Sequence, residues 1–347
     1  MKILLDDIKC KEDLYPFTLT RSVADIRVGI LTIREKWEIL LDKKINTISE
    51  VVDNESNGSE ILISANILPS HKLLKALKHN KGFESPGLRT IKIEYPWHIF
   101  QNNDAAIRDD FALITAKRRS KKISSTNTLI GNDIFIEKGA IVEHAVLNAS
   151  TGPIYIGKNA EVMEGCLIRG PFSMCEGSVL KMGAKVYGAT TLGPYCIGAG
   201  EIKNSVLFGY SNKAHDGYLG DSVIGEWCNL GAGTSNSNIK NTAGNVKVWN
   251  ELKKEHIPSG VKCGLFMGDY SRSAINTAFN TGTVVGVASN VFCNGFPPTF
   301  IDSFSWGSKK YKLEKALEHI DNWKKLKGHI LSDEEKKLLS DIYHQKK

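Results

Sequence analysis

The 347-residue sequence has no long apolar run, no C-x-x-C pair and no basic arm. A membrane-spanning helix needs roughly 20 consecutive apolar residues, and no stretch approaches that length, so we expect no membrane span. The seven cysteines are odd in number and lack a C-x-x-C pair, which argues against a disulfide framework and against a zinc site. The apolar patch in the first ten residues is too short for a secretory signal, so the sequence predicts a cytoplasmic protein.

The charge is moderate, with a formal net charge of +7 at pH 7. The lysines are spread along the chain, which argues against a nucleic-acid partner but is compatible with anionic small molecules. Hydrophobic residues make up 41% of the chain and charged residues 24%, the balance of a globular protein. At roughly 150 residues per domain, the length indicates two domains.

A six-residue period runs through the middle of the chain. Apolar residues stand at every sixth position from Ile156 to Leu192, and the fourth residue after each is small in six of seven cases. Such a period suits short strands that turn a corner and stack as parallel coils, about 4.8 Å apart. We therefore predict a three-sided parallel β-helix. The same period recurs at Ile130, Ile136, Val142, Ile224, Leu230, Met267, Ser273, Phe279, Val285 and Val291, and the corner cysteines Cys166, Cys196 and Cys228 are expected to be buried.

The period is interrupted between Leu192 and Ile224 and again between Leu230 and Met267. Loops that leave a solenoid commonly carry binding and catalytic residues. The first interruption contains His215, and an imidazole, which titrates near neutral pH, can accept a proton from an amine nucleophile. A solvated loop histidine without a function is the alternative.

The stretch KAHDGYLGDSVIGEWCNLGAGTSNSN, residues 213–238, resembles the acetyltransferase half of the bacterial bifunctional enzymes that make UDP-N-acetylglucosamine. LYPFTLTRSVADIRVGILTIREKWE and FNTGTVVGV resemble a Bacteroidetes-type branch of the same family, so the resemblance covers nearly the whole chain. It implies a left-handed β-helix, a sugar 1-phosphate acceptor, acetyl-coenzyme A (acetyl-CoA) as the donor and a homotrimer.

The resemblance also implies roles for individual residues. By this resemblance, His215 is expected to be the catalytic base, and Ala232 and Asn238 are expected to line the acetyl-CoA pocket. The residues expected to bind the sugar phosphate are Lys185 and Lys203 for the phosphate and Tyr218 and Asn229 for the sugar. Lys185 replaces an arginine of the family, which removes the bidentate fork. For Asn229, an asparagine ladder inside the coil is the alternative.

Residues 1–125 lack the period and alternate strand-like and helical segments, which predicts an α/β nucleotidyltransferase-like domain. Pro16, Thr18 and Arg21 resemble the segment that follows the phosphate loop in such enzymes, so Thr18 and Arg21 are candidate nucleotide-binding residues. The Gly-rich phosphate loop itself is missing from this N-terminus. Asp6 and Asp7 are candidates for Mg²⁺ only by position. Helix-surface cations without a ligand are the alternative for Arg21 and Arg27.

Residues 126–308 are assigned to the β-helix, and residues 309–347 to amphipathic helices that we expect to close its open end. Ser332 and Glu335 form a capping-box pattern at the second of these helices. The prediction is a transferase of UDP-N-acetylglucosamine biosynthesis that acetylates glucosamine 1-phosphate, with uridylyl transfer from UTP as a further expectation. The alternatives are a nucleotidyltransferase whose β-helix is an oligomerisation scaffold, and a non-catalytic trimeric binding protein.

Overall fold

The computed structural model describes residues 2–50, 60–79, 90–251 and 253–345. Within these ranges, short parallel strands form three sheets that stack coil upon coil as a three-sided β-helix. We call the sheets face 1, face 2 and face 3. No helix in the described ranges is long and apolar enough to cross a membrane.

Each coil contributes one short strand to each face over most of the solenoid. Face 1 consists of Thr128–Ile130, Val146–Asn148, Leu167–Arg169, Lys185–Tyr187, Glu201–Lys203 and Tyr218–Gly220. Face 2 consists of Ile134–Ile136, Ile154–Ile156, Phe172–Met174, Thr190–Leu192, Val206–Gly209, Val223–Glu226, Leu265–Met267, Thr283–Val285 and Phe300–Ile301. Face 3 consists of Ile141–Val142, Glu161–Val162, Val179–Leu180, Ile197–Gly198, Asn212–Lys213, Asn229–Leu230, Arg272–Ser273, Asn290–Val291, Ser305–Trp306 and an antiparallel last strand, Lys309–Lys310.

The apolar residues of the six-residue period form the core inside the coils, which confirms the predicted fold. At most 2% of the surface is exposed for Ile156, Val162, Ile168, Met174, Leu180, Val186 and Leu192. The small residues at the corners, including Cys166, Cys196 and Cys228, are buried as expected. Ile130 is an exception, because Leu129 takes the inward register opposite Leu147 and Ile130 is exposed. The left hand of the helix stays a prediction.

The first interruption of the period is not a loop, contrary to our expectation. Strands continue through it, and Leu192 pairs with Leu207, three positions earlier than an eighteen-residue coil requires. The six-residue apolar period fails here for two reasons. Gly198 and then Lys213 occupy the inward positions above Leu180, and the inward residues Ile202 and Leu207 follow at spacings of four and five. His215 therefore lies at a tight corner between face 3 and face 1.

The second interruption does leave the solenoid. After the strand Ser235–Asn236, which pairs with Ala278–Phe279, the chain forms an antiparallel hairpin of Val246–Asn250 and Glu255–Gly260. Val246 and Val248 of the hairpin are buried in the core of the N-terminal part. The hairpin therefore joins the N-terminal part to the β-helix.

The N-terminal part is an α/β layer, as predicted. Lys2–Asp6 pairs in parallel with Glu60–Ser64, and Ile67–Leu68 pairs antiparallel with Ile91–Lys92. The helices are α1 (Ile33–Leu41), α2 (His71–Lys78), α3 (Pro96–Gln101) and α4 (Asn103–Thr115), with short 3₁₀ turns at Glu12–Leu14, Val23–Asp25 and Ile48–Glu50. Thr32 and Glu35 form a capping box that starts α1.

The N-terminal part packs against the outer side of face 2 and shares one core with it. Phe17 contacts Phe208, with ring centroids 5.1 Å apart, and Trp97 and Phe100 contact Phe266. Arg27 lies at this junction, where it is buried and donates to the carbonyl oxygen of Phe208. The alternative that Arg27 is a surface cation is therefore wrong.

Two C-terminal helices, α5 (Leu313–Lys325) and α6 (Asp333–His344), follow the β-helix. The predicted capping box of Ser332 and Glu335 is present. The helices pack along the side of the β-helix, because their apolar residues contact a corner column of residues with positive φ that includes Trp227, Tyr270 and Phe304. The predicted C-terminal helices are thus present, and they also contact the last coil, where the ring centroids of Phe304 and Tyr343 are 5.1 Å apart. Closure of the end of the solenoid stays a prediction.

Candidate active site

Face 1 presents the two predicted phosphate-binding lysines on neighbouring strands. Val186 and Ile202 point into the core, so Lys185, Tyr187, Glu201 and Lys203 point outward. Lys185 is exposed and opposite Glu201, whereas Lys203 is half-buried and opposite Tyr187. These two strands therefore carry two cations and one carboxylate on their outer surface.

That carboxylate is already engaged by a tyrosine. The Tyr187 hydroxyl donates to Glu201 Oε1 at 2.5 Å, and this hydrogen bond raises the pKa of Tyr187 to about 12. Lys203 Nζ lies 5.7 Å from the centre of the Tyr187 ring. Within the described ranges, neither Lys185 nor Lys203 forms an ion pair, so both ammonium groups remain available to an anion.

Tyr218 begins the next strand of face 1, and its side chain lies over Gly220 of the same strand. A Cβ at Gly220 would lie 2.2 Å from the Tyr218 hydroxyl oxygen, so the tyrosine can take this position only because residue 220 is glycine. Asn238 Nδ2 donates to this oxygen at 3.0 Å and also to the buried carboxylate of Asp221. Asp221 accepts from Asn204 as well, at 2.6 Å. The carboxylate thus fixes Asn238 and, through it, Tyr218.

His215 is exposed at the corner that precedes the Tyr218 strand. Its backbone is held from inside, because the ammonium of Lys213 donates to the carbonyl oxygens of His215 and, at 3.1 Å, of Asp216. A third carbonyl, that of Ala199, lies 3.5 Å from the same nitrogen. Burial lowers the pKa of Lys213 to about 8, with the charge of Asp216 acting in the opposite direction.

Asn229 lies on face 3, away from the lysines of face 1. Its neighbour Leu230 points into the core, so Asn229 points outward and the alternative of a ladder inside the coil is wrong. Asn212 Nδ2 lies 3.4 Å from its Oδ1. Ala232 follows at the corner stacked above the His215 corner, where Gly233 N donates to Asp216 O at 3.1 Å.

The structure thus brings one group of the predicted residues together and separates another. Lys185, Lys203 and Tyr218 share face 1, Asn238 contacts Tyr218, and His215 and Ala232 lie at the edge of this face. Asn229 is on the adjacent side of the same chain.

Thr18 and Arg21 lie in the N-terminal part and have protein partners. The Thr18 hydroxyl donates to the Lys11 carbonyl at 2.7 Å. Arg21 forms ion pairs with Asp269 and, at 3.5 Å, with Glu226 of the β-helix. Its side chain is 9% exposed, so the alternative of a surface cation does not hold for Arg21.

The residues proposed by position for Mg²⁺ do not fit a metal site. Asp6 accepts from the backbone nitrogens of Ile8 and Lys9, and Asp7 accepts from the backbone and hydroxyl of Ser49. Hydrogen bonds from Ser49 contribute to a lowered pKa of Asp7, against the effect of burial. In the described part of the chain, no three His, Cys, Asp or Glu side chains cluster as ligands.

Residues 2–85 match the family model described as sugar nucleotidyl transferase. The bifunctional protein GlmU of Wigglesworthia glossinidia brevipalpis is 22% identical over 80% of this chain and 59% of that protein, and GlmU of Methanococcus maripaludis (strain S2) is 26% identical over 72% and 57%. The bifunctional sugar-1-phosphate nucleotidylyltransferase/acetyltransferase of Sulfurisphaera tokodaii is 38% identical over 26% of this chain and 23% of that protein. The chain is a relative of these bifunctional proteins.

The relationship to GlmU-type proteins agrees with the predicted enzyme class, because both the family and the relatives are named as transferases or as GlmU. The chain spans less than 60% of the length of these relatives. The Bacteroidetes-type branch and the cytoplasmic location stay predictions.

Several residues of the site were not assigned from the sequence. Lys213 and Asp221 are next to the motif residues, but their burial and their hydrogen bonds cannot be seen in a linear pattern. Asn236 fills an inward position, where its side chain accepts from Gly220 N at 2.9 Å and donates to Gly220 O at 3.0 Å. The sequence could have predicted this inward position, because Asn236 follows the inward Leu230 by six residues.

Proposed function

We propose that the chain transfers an acetyl group from acetyl-CoA to the amine of glucosamine 1-phosphate. The observation that carries the proposal is the pair of lysines on face 1, next to a corner that presents His215 and is held by Lys213. Phosphate oxygens form strong charge-assisted hydrogen bonds with ammonium groups. The acetyltransferase named among the relatives supports the same reaction.

The chemistry requires a neutral amine, a base and a place for the phosphate. Acetyl-CoA supplies the acetyl group as an activated thioester. Lys185 and Lys203 hold the sugar phosphate, and Tyr218, positioned by Asn238, contacts the sugar. The reaction forms the amide C–N bond and breaks the thioester C–S bond. The imidazole of His215 accepts the amine proton and returns it to the leaving thiolate.

The proposal includes a homotrimer, because one chain divides the predicted residues between two faces. Asn229 on face 3 reaches the substrate only if face 3 of one copy lies next to face 1 of another. Mixed assembly tests this arrangement: His215→Ala and Asn229→Ala chains, each weakly active alone, should recover activity when they are refolded together. No recovery in a mixed trimer would place the complete site within one chain.

The central test measures thiol release from acetyl-CoA in the presence of glucosamine 1-phosphate. His215→Ala should reduce kcat at least about 100-fold, since a general base contributes typically 10²–10⁴-fold. His344→Ala, at the exposed end of α6, is the matched control and should keep full activity. An unchanged rate in His215→Ala would remove the imidazole from the mechanism.

The match of residues 2–85 favours a second activity, uridylyl transfer from UTP to N-acetylglucosamine 1-phosphate. The contacts of Thr18 and Arg21 and the engaged carboxylates of Asp6 and Asp7 give it no geometric support. Pyrophosphate release from UTP in the presence of Mg²⁺ tests it. Pyrophosphate release without acetyl transfer would instead favour a nucleotidyltransferase with the β-helix as a scaffold. The absence of both activities would favour a binding protein.

A further inference from the structure

A buried arginine on face 3 has unused hydrogen-bond donors. Arg272 is 7% exposed, and its Nη1 donates to the carbonyl oxygen of Tyr270 at 3.1 Å. The indole ring of Trp323 in α5 covers the guanidinium, 5.0 Å from the ring centre. Nε and Nη2 are also buried, and neither has a hydrogen-bond partner among the described residues.

The neighbouring strand adds a third donor. Asn290 pairs directly with Arg272 in the sheet register, and its buried Nδ2 lies near the Tyr311 hydroxyl without forming a hydrogen bond of normal geometry to any described residue. Nε and Nη2 lie on the same edge of a guanidinium, and this edge binds two oxygens of an oxyanion side by side. The side-chain amide of Asn290 is therefore placed to donate to the same group.

Among the described residues, the guanidinium of Arg272 has no carboxylate as a counter-charge. No ion pair joins Arg272 to a carboxylate of the described residues, and the groups that raise its pKa are Cys228 and Tyr311. Burial outweighs them and lowers the pKa of Arg272 to about 10. A cation buried without a partner is strongly unfavourable, and a bound anion removes this cost.

We propose that face 3 contains a binding site for a phosphate-class oxyanion, formed by the Nε–Nη2 edge of Arg272 and the amide of Asn290. Half-exposed Asn229 pairs with Arg272 on the other side of the sheet. The site does not rest on the proposed acetyl transfer. The oxyanion is either free phosphate or the phosphate group of a sugar phosphate or of coenzyme A, and the experiment separates these sources.

The test follows thermal unfolding of the full chain during titration with inorganic phosphate, at ionic strength held constant with sodium chloride. Phosphate should raise the melting temperature saturably by several degrees, and Arg272→Gln should weaken the apparent affinity at least about tenfold. Arg119→Gln removes the same charge from an exposed position between α4 and the β-helix and should leave the affinity unchanged. Equal stabilisation by phosphate and chloride would overturn the proposal.

Further variants and ligands keep the result decisive. If Arg272→Gln does not fold, Asn290→Ala is measured, and an affinity equal to that of the unmodified chain would overturn the proposal. Arg272→Lys should not restore the affinity, because lysine lacks the planar fork. Parallel titrations with glucosamine 1-phosphate, coenzyme A and dephospho-coenzyme A identify the source of the phosphate. If the unmodified chain binds phosphate at Arg272 but does not transfer an acetyl group, the proposed function is wrong and this site is not.

Discussion

Lys213 holds His215 through the backbone and not through the imidazole. The buried ammonium donates to the carbonyl oxygens of His215 and Asp216, while the His215 ring stays exposed. The shape of the corner is therefore determined by a charge inside the β-helix, and the imidazole remains free to contact a substrate.

Removal of that ammonium should loosen the corner. In Lys213→Met, the carbonyl oxygens of Ala199, His215 and Asp216 lose their donor, and an unsatisfied buried acceptor costs about 1–3 kcal/mol. We expect the free energy of unfolding to fall by about 3 kcal/mol and kcat for acetyl transfer to fall about tenfold or more. Urea denaturation and thiol release measure the two effects. Lys138→Met, at an exposed corner, is the control; equal losses in both variants would contradict the explanation.

The same lysine predicts a pH dependence of stability. Its pKa is about 8 in the folded chain and 10.5 ordinarily, so between these values the unfolded chain binds more protons than the folded chain. The contribution of Lys213 to stability therefore rises with pH from about 8 to 10.5. Urea denaturation over this range should show the rise in the unmodified chain and a smaller rise in Lys213→Met. Parallel curves for the two proteins would refute the assignment.

The absence of a side chain at Gly220 leaves room for the ring of Tyr218, and a methyl group at position 220 should displace this ring. The Cβ of Gly220→Ala would lie 2.2 Å from the Tyr218 hydroxyl oxygen, so the ring must move and lose its hydrogen bond from Asn238. We expect KM for glucosamine 1-phosphate to rise about tenfold, from the loss of one or two hydrogen bonds. Steady-state kinetics measure this. Gly244→Ala, at a position with space for a methyl group, should behave like the unmodified chain.

The lysines of face 1 should act on binding more than on the chemical step. Lys185→Gln and Lys203→Gln each remove one cation facing the phosphate, and each should raise KM for the sugar phosphate about tenfold while kcat changes less. Lys158→Gln removes an exposed lysine elsewhere and serves as the control. An unchanged KM in both variants would show that the phosphate binds at another surface.

Arg21 should matter for stability. Arg21→Met leaves the buried carboxylate of Asp269 without its cation, and removal of one partner of a buried ion pair costs about 3–5 kcal/mol. Differential scanning calorimetry should show a clear fall in melting temperature, and the double variant Arg21→Met/Asp269→Asn should recover part of it. A stable Arg21→Met chain that has lost only nucleotide binding would support the role implied by the family resemblance.

The β-helix could be predicted because its core repeats in the sequence. From Ile156 to Leu192 every sixth residue is apolar and buried. The pattern could not predict the strands between Leu192 and Ile224, because glycine and lysine occupy the inward positions 198 and 213. Lys213 is tolerated there only because backbone carbonyls surround its ammonium, and a one-dimensional pattern contains no such information.

The candidate site was predicted from local motifs, and its supporting residues were not. Lys185, Lys203 and Tyr218 could be proposed from the resemblance, and their common face follows from strand register. The role of Asp221 depends on Asn204 and Asn238, which are distant in sequence. The unused donors of Arg272 become apparent only when every neighbouring acceptor is known.

The packing of the N-terminal part on face 2 limits how the chain can be divided. Val206, Phe208, Val223 and Phe266 are buried by it, although they point away from the axis of the solenoid. In a fragment that begins after residue 125, these side chains would form a contiguous hydrophobic surface exposed to water. Such a truncation should aggregate on expression, so the catalytic competence of the coils cannot be assayed by trimming the chain to its repeats.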